Sequence, residues 1–253
     1  MNRASLLAAI ALSAASVVFA AHADEFGPAQ RNEIEKIVRE YLVSHPEVLQ
    51  DAMAELEKRQ AAAESEKHEA AVKENAKPLF SSPYQVTLGN PEGNVTMVEF
   101  FDYNCGYCKR AMADMMDLLQ HDKNLKVVLK EFPVLGPGSV EAAKVAAAAR
   151  LQDKIGKKYL DFHQKLLGGR GEANKARALA AAKEAGFDVA RIEKDMESDE
   201  VKSQLAESFK LAETLGLNGT PSYVIGKDVV VGAVGLAALK EKISTNRCGK
   251  ASC

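Results

Sequence analysis

Four cysteines in 253 residues are too few to staple a fold together, so the chain must rest on a packed core. Long apolar runs are scarce as well. Beyond the extreme N-terminus, no stretch reaches the roughly 18 apolar residues that a membrane-crossing helix requires. Positive charge is not in excess, since 33 Lys and Arg face 35 Asp and Glu for a net charge of −2. That excludes the broad basic footprint of a nucleic-acid binder. Glycine is absent between Gly27 and Gly89. No metal-ligand spacing links His45, His68, His121 and His163, which read as surface or capping groups, and no motif calls for a cofactor or a metal.

The front of the chain points to a compartment. Met1-Asn2-Arg3 is a short basic start, Leu6 to Ala21 are apolar or small, and Ala21-His22-Ala23 offers a small-x-small cleavage site. This is the pattern of a secretory signal peptide over residues 1–23 rather than of a membrane span. A mature chain starting at Asp24 would work in an oxidising space such as the periplasm, where disulfides persist.

Residues 24–77 are dense in Ala, Glu, Lys and Gln and read as helix. Pro28 suits a first helical turn. Ile34, Ile37, Val38, Tyr41 and Leu42 then follow helical spacing on one face. Ser44-His45-Pro46-Glu47 has the form of a capping box, with Ser44 as the cap of a second helix. Val48, Leu49, Ala52, Met53 and Leu56 give that helix a stripe, while from Glu57 to Ala71 the only apolar residues are alanines. Stripes this narrow cannot form a core alone. They dock on the main domain or on copies of themselves, and the poorly apolar stretch that follows favours self-association.

Cys105-Gly106-Tyr107-Cys108 carries the chemistry. It follows the apolar run Val95–Phe101 and precedes a helical pattern from Lys109 to Leu119. Two cysteines two residues apart at a strand-to-helix junction form a redox dithiol. A helix N-terminus presents unpaired N–H groups and the positive end of the dipole, which favour a thiolate there and make Cys105 the reactive sulfur. A zinc site would need a second ligand pair. The other cysteines, Cys248 and Cys253, lie 140 residues or more beyond Cys108 in the tail. A purely structural bridge between Cys105 and Cys108 would restrain little, because its loop is so short.

The remaining pattern alternates strands and helices in residues 78–253. Strands are expected at Tyr84–Leu88, Val95–Phe101 and Leu125–Phe132. Helices are expected at Val140–Leu151, Lys157–Leu167, Asn174–Ala185, Val189–Met196 and Glu200–Leu215, punctuated by Gly168-Gly169, Gly186 and Gly216. A hairpin follows at Pro221–Gly226 and Val229–Val231, then a last helix at Leu236–Ser244. Cys248 and Cys253 close only a small loop and are expected to form a disulfide dispensable for catalysis.

Strand, C-x-x-C, helix, strand and a distant Gly219-Thr220-Pro221-Ser222-Tyr223 before a hairpin together resemble the thioredoxin fold. The helical insertion, about residues 138–217, resembles the DsbA branch, as does Phe100-Phe101-Asp102-Tyr103-Asn104-Cys105-Gly106-Tyr107-Cys108-Lys109-Arg110. Tyr41-Leu42-Val43-Ser44-His45-Pro46-Glu47-Val48-Leu49 resembles the N-terminal extension of ScsC-type proteins, which are implicated in copper tolerance and can trimerise. The resemblance implies an α/β thioredoxin fold behind a helical oligomerisation extension. It implies that Cys105 attacks, Cys108 resolves, and Thr220-Pro221 is a cis-proline loop pairing with extended substrate beside Gly106 and Tyr107. The partners implied are cysteine-containing secreted proteins, a membrane redox protein and two further copies of the chain. Without the resemblance, Pro221 reads as a turn proline before an edge strand.

Glu99 interrupts the apolar run six positions before Cys105. It is either a buried acid that exchanges protons with Cys108, as the matching position in DsbA-like proteins implies, or a strand-edge glutamate in water or paired with Lys130. Gly106-Tyr107 with Thr220 resembles the active site of the isomerase DsbC and lacks the histidine that makes DsbA strongly oxidising. The expected activity is therefore disulfide isomerase or reductase. A monomeric DsbA-like oxidase and a periplasmic copper- or zinc-binding protein are the rivals.

Overall fold

The computed structural model describes residues 26–153 and 156–253, so the expected signal peptide lies outside the described residues. The chain divides into a compact unit that ends at Glu57 and another spanning Lys58–Cys253.

Helix α1 (Pro28–Ser44) starts at the proline that suits a first turn. It buries none of its own residues. Ile37, Val38 and Tyr41 are each about half exposed or more in the single chain. Helix α2 (Glu47–Glu74) follows. Ser44 is the last residue of α1 rather than the cap of α2. The junction instead sets His45 Nδ1 3.1 Å from Glu47 Oε1. Leu49, Met53 and Leu56 are also exposed. The helix stops at Glu74, short of the expected Lys77, and a five-residue helix α3 (Ala76–Phe80) takes over.

Among the described residues, the second unit is built on five strands: β1 (Val86–Gly89), β2 (Val95–Phe101), β3 (Leu125–Glu131), β4 (Ser222–Ile225) and β5 (Asp228–Val231). Their order across the sheet is β1-β3-β2-β4-β5. Only β2 and β3 run parallel, joined by helix α4 (Gly106–His121), and the other three pairings are antiparallel. Tyr84, expected to begin β1, is in the turn before it, where its N–H donates to Ser82 Oγ at 3.0 Å.

Helices α5 (Pro137–Arg150), α6 (Lys157–Gly168), α7 (Lys175–Glu184), α8 (Val189–Asp195) and α9 (Asp199–Thr214) stand between β3 and β4, and α10 (Leu236–Cys248) closes the chain. Cys248 and Cys253 are joined as a disulfide.

Alternation along the strands sorts side chains between two cores. Val95, Met97 and Phe101 of β2 join Leu125, Val127, Leu129, Tyr223 and Ile225 in the larger one, with α4 and the α5–α8 helices. Val98, Phe100, Val128 and Val224 join Val72, Leu79 and Leu211 in the smaller one. The register places Phe100 opposite Lys130 and Glu99 opposite Leu129, so the Glu99 and Lys130 side chains leave the sheet on opposite faces. Lys130 is buried, and its Nζ donates to Glu207 at 2.6 Å and to the Pro78 carbonyl at 2.9 Å.

The insertion is tied to the sheet by buried polar groups. Tyr159 Oη donates to Glu131 Oε1 at 2.5 Å, and Gln204 Nε2 donates to Glu131 Oε2 at 2.8 Å. Gln204 Oε1 in turn accepts from Arg150 Nε at 2.6 Å. His163, expected at the surface, is 1% exposed, with Nδ1 3.2 Å from Tyr103 Oη and its ring edge-on to Phe101. Burial pulls its pKa down to about 3, so it is neutral.

Ala146, Ala147, Ala148 and Ala149 of α5 are all fully buried, so small side chains let α5 approach its neighbours closely. Ala146→Leu is expected to overpack this contact and cost about 1–3 kcal/mol. Urea denaturation measures it, and an unchanged midpoint would show that the contact has slack.

Candidate redox site

The apolar strand β2 ends at Phe101, and α4 begins after four intervening residues, at Gly106. Cys105 is the N-cap of α4 and is 6% exposed. Its Sγ accepts the Cys108 N–H at 3.3 Å and lies 3.1 Å from the Thr220 carbonyl oxygen, to which the thiol donates. Pairing of β2 with β4 brings Thr220 here from 115 positions away in sequence. The Thr220–Pro221 peptide is cis. Cys108, one turn inside α4, is fully buried, and both thiols are free. Burial pushes the Cys108 thiol up, and the charges of Glu99 and Cys105 add to that effect.

Tyr107 is exposed, and the Arg110 guanidinium lies 4.3 Å from its ring centroid. Gly106 is exposed too, so both residues between the cysteines face solvent. A small cavity of about 100 Å³ opens beside Cys105, Gly106 and Lys109 toward Gly169 and Gly171.

Glu99 is 3% exposed, and Lys130 does not meet it, being on the other face of the sheet. Burial, reinforced by the charge of Asp114 on α4, pushes its carboxyl up to about 8. Tyr223 stands directly across from Glu99 in the β2–β4 register, and burial pushes its hydroxyl up too. The structure thus gathers Glu99, Cys105, Cys108, Thr220 and Pro221 around the N-terminus of α4. Cys248 and Cys253 lie at the far end of α10. Among the described residues, no group of three or more His, Cys, Asp or Glu is arranged to hold a metal ion.

Asp102, Asn104, Ser139, Asp114 and Tyr223 received no site role from the sequence. Asp102 is 1% exposed. Its Oδ1 accepts from the Asn104 N–H at 2.8 Å and the Ser139 hydroxyl at 2.7 Å, and its Oδ2 from the N–H groups of Val134 and Leu135 at 2.8 and 2.9 Å. Asn104 bonds the backbone of Ala173 through both ends of its amide, at 2.6 and 2.9 Å. The only sequence signal was two short polar residues between a buried strand and the dithiol.

Residues 96–244, more than half of the chain, match the profile of the DSBA-like thioredoxin domain. The chain belongs to that family. As a DsbA-family member with this dithiol it is a thioredoxin-like oxidoreductase. Residues 30–63 match the N-terminal domain of the copper resistance protein ScsC. A thioredoxin-like oxidoreductase from Silicibacter pomeroyi is 46% identical, with a TM-score of 0.64 over 68% of this chain and 96% of its own. Proteus mirabilis ScsC, in a transitional conformation, is 26% identical, with a TM-score of 0.64 over 88% of this chain and 98% of its own. Among curated proteins, the Na(+)/H(+) antiporter NhaA 1 of Salinispora arenicola is 26% identical over 163 residues, and the match spans only 24% of the antiporter's length. No helix among the described residues is long and apolar enough to cross a membrane.

The raised Glu99 pKa has a definite sign in stability. Between its ordinary value of 4.5 and about 8, the folded chain holds a proton that the unfolded chain has released. Stability from this group is therefore complete below about pH 4.5 and is lost as pH rises through about 8. We predict that Glu99→Gln gains on the wild type as pH rises from 5 to 8 in urea denaturation. Parallel pH profiles for the two proteins would rule out a protonated buried acid.

Proposed function

We propose that the protein is a periplasmic thiol-disulfide exchange enzyme that isomerises or reduces disulfides in secreted proteins. The observation that carries this reading is the placement of Cys105 Sγ at the cap of α4, against both the Cys108 N–H and the Thr220 carbonyl. The Cys105 thiolate attacks one sulfur of a substrate disulfide. That S–S bond breaks, a mixed disulfide forms, and the second substrate sulfur leaves as a thiolate. If a substrate thiolate then attacks the substrate sulfur of the mixed disulfide, Cys105 is released and the substrate bridge has moved. If Cys108 attacks Cys105 instead, the substrate departs reduced and the enzyme holds the Cys105–Cys108 disulfide. Cys108 must lose its proton to attack, and in this reading the ionised Glu99 carboxylate accepts it. A membrane redox protein would return the enzyme pair to its working state.

The similarity of residues 30–63 to the ScsC N-terminal domain supports assembly through α1 and α2. Three copies would bury the exposed Ile37, Tyr41, Leu49, Met53 and Leu56 side chains and bring three dithiols together. Close spacing favours repeated attack on one substrate through high local concentration. The same similarity connects the protein to copper tolerance, and the N-terminal pattern supports export by a signal peptide over residues 1–23. A monomeric DsbA-type oxidase is the second reading, favoured by the family match over 96–244. It fits less well because Gly106-Tyr107 supplies no imidazolium beside Cys105.

Two outcomes are expected. Reduced Cys108→Ser should trap mixed disulfides with denatured client proteins that carry disulfides, visible on non-reducing gels, while Cys105→Ser traps none; trapping by neither variant would sink the dithiol reading. A chain starting at Lys58, which keeps Val72 and Leu79 in their core, should be a monomer by light scattering where the longer chain is a trimer. It should retain insulin reduction and lose most activity on scrambled ribonuclease. A monomeric longer chain would move the assignment to the oxidase.

A further inference from the structure

Cations of the helical insertion are paired. Lys144, Arg150, Lys165, Lys175 and Arg191 each meet a carboxylate within 3.5 Å. Three cations around the dithiol have neutral partners instead. Lys109 Nζ donates to the Gly169 carbonyl at 2.5 Å. The Arg110 guanidinium rests on the ring of Tyr107, which stands between the two cysteines. Arg177 Nη1 donates to the carbonyls of Arg170 and Gly171, in the loop that walls the cavity beside Cys105. A carbonyl or a ring can face a cation but carries no net charge, so three positive charges stand unneutralised here in a chain of net charge −2. The nearby acids are committed elsewhere. Asp161 pairs with Lys165, Glu172 turns its carboxyl to Gly138 at the start of α5, and both oxygens of Asp102 are taken up by neutral donors. Asp114 lies on the Glu99 side of α4.

We propose that Lys109, Arg110 and Arg177 form a cationic frame that draws an acidic side chain adjoining the substrate's cysteine into the cavity beside Cys105, so that disulfides flanked by aspartate or glutamate exchange faster than others. The proposal rests on the reading of Cys105 as the attacking sulfur and names the class of polypeptide that reaches it best. Lys109 is the central member, because it lines the same cavity as Cys105. That cavity, about 100 Å³, has room for about three water molecules, which suits a single carboxylate side chain. A carboxylate entering it takes the place of the Gly169 carbonyl as the acceptor for Lys109, so a charge-assisted hydrogen bond replaces a weaker one. The exchange chemistry at Cys105 is unchanged; the frame sets which disulfides it meets.

The test follows exchange of the reduced protein with three peptide disulfides that differ only beside the cysteine, where they carry aspartate, asparagine or lysine. Each second-order rate is divided by the rate of dithiothreitol with the same peptide, which removes the effect of the neighbouring charge on the disulfide itself. At low salt the wild type is expected to favour the aspartate peptide over the asparagine peptide by about fivefold, as a few partly exposed charge pairs imply, and to disfavour the lysine peptide. The preference should fade in 1 M salt, where screening acts within about 3 Å. Lys109→Gln/Arg110→Gln, at two exposed positions, should bring the ratio close to one, and Lys109→Arg should keep it. Equal normalised rates for the three peptides, a faster lysine peptide, or a preference that survives 1 M salt overturns the proposal. A preference that survives in the double variant overturns the role of Lys109 and Arg110. Should that variant fail to fold, the salt series on the wild type decides. A wild type that exchanges none of the three disulfides overturns the reading of the dithiol itself, which distinguishes that failure from the failure of the cationic frame.

Discussion

Burial of β2 on both faces is the constraint on which the site depends. A strand at the centre of a sheet with helices on either side has no wet face, so every side chain on it must be apolar or leave water at a cost. Six of its seven residues are buried. The strand therefore delivers the dithiol loop from a rigid base, and it imposes burial on the one carboxyl it carries. Glu99 is held as an acid because burial opposes its charge and the neighbouring Asp114 charge adds to the effect. The lysine that could have kept it charged, Lys130, points into the other core and is satisfied by Glu207.

The same strand explains why the two cysteines differ. Cys105 sits at the helix cap, where its sulfur meets a backbone N–H and a backbone carbonyl. Cys108 is one turn deeper, in the layer where Glu99 and Tyr223 already crowd out water. Desolvation at the second position opposes the charged form of Cys108. One turn of helix is enough to separate a sulfur at the helix cap from one sealed in the core.

The elements that built this site were largely visible in the sequence because their signals are local. The apolar run of β2, the cysteine spacing, the glycine stops and the proline at 221 each report on a few neighbouring residues. What stayed hidden depends on distant partners. His163 is buried because Phe101 and Tyr103, about 60 residues earlier, surround it, and nothing near it in sequence says so. Asp102 looks like a polar residue ending a strand, whether it faces water or gathers donors from 32 to 37 positions away. Ser44 has the composition of a cap, yet α1 runs through it, so composition alone started the second helix two residues too early. The alternative partner for Glu99 failed on register, which a single strand cannot reveal.

The hydrogen-bond chain through Glu131 limits how this protein can change over evolution. Tyr159 from α6 and Gln204 from α9 both end on that carboxylate, which is 1% exposed. Loss of either partner leaves a buried oxygen without a donor, and loss of the carboxylate leaves two polar groups facing apolar atoms. The three positions must therefore mutate together or remain as they are. The helical insertion is accordingly not a cassette that can be swapped between relatives at its two ends; a graft that carries α6 and α9 must bring a matching residue into β3 as well.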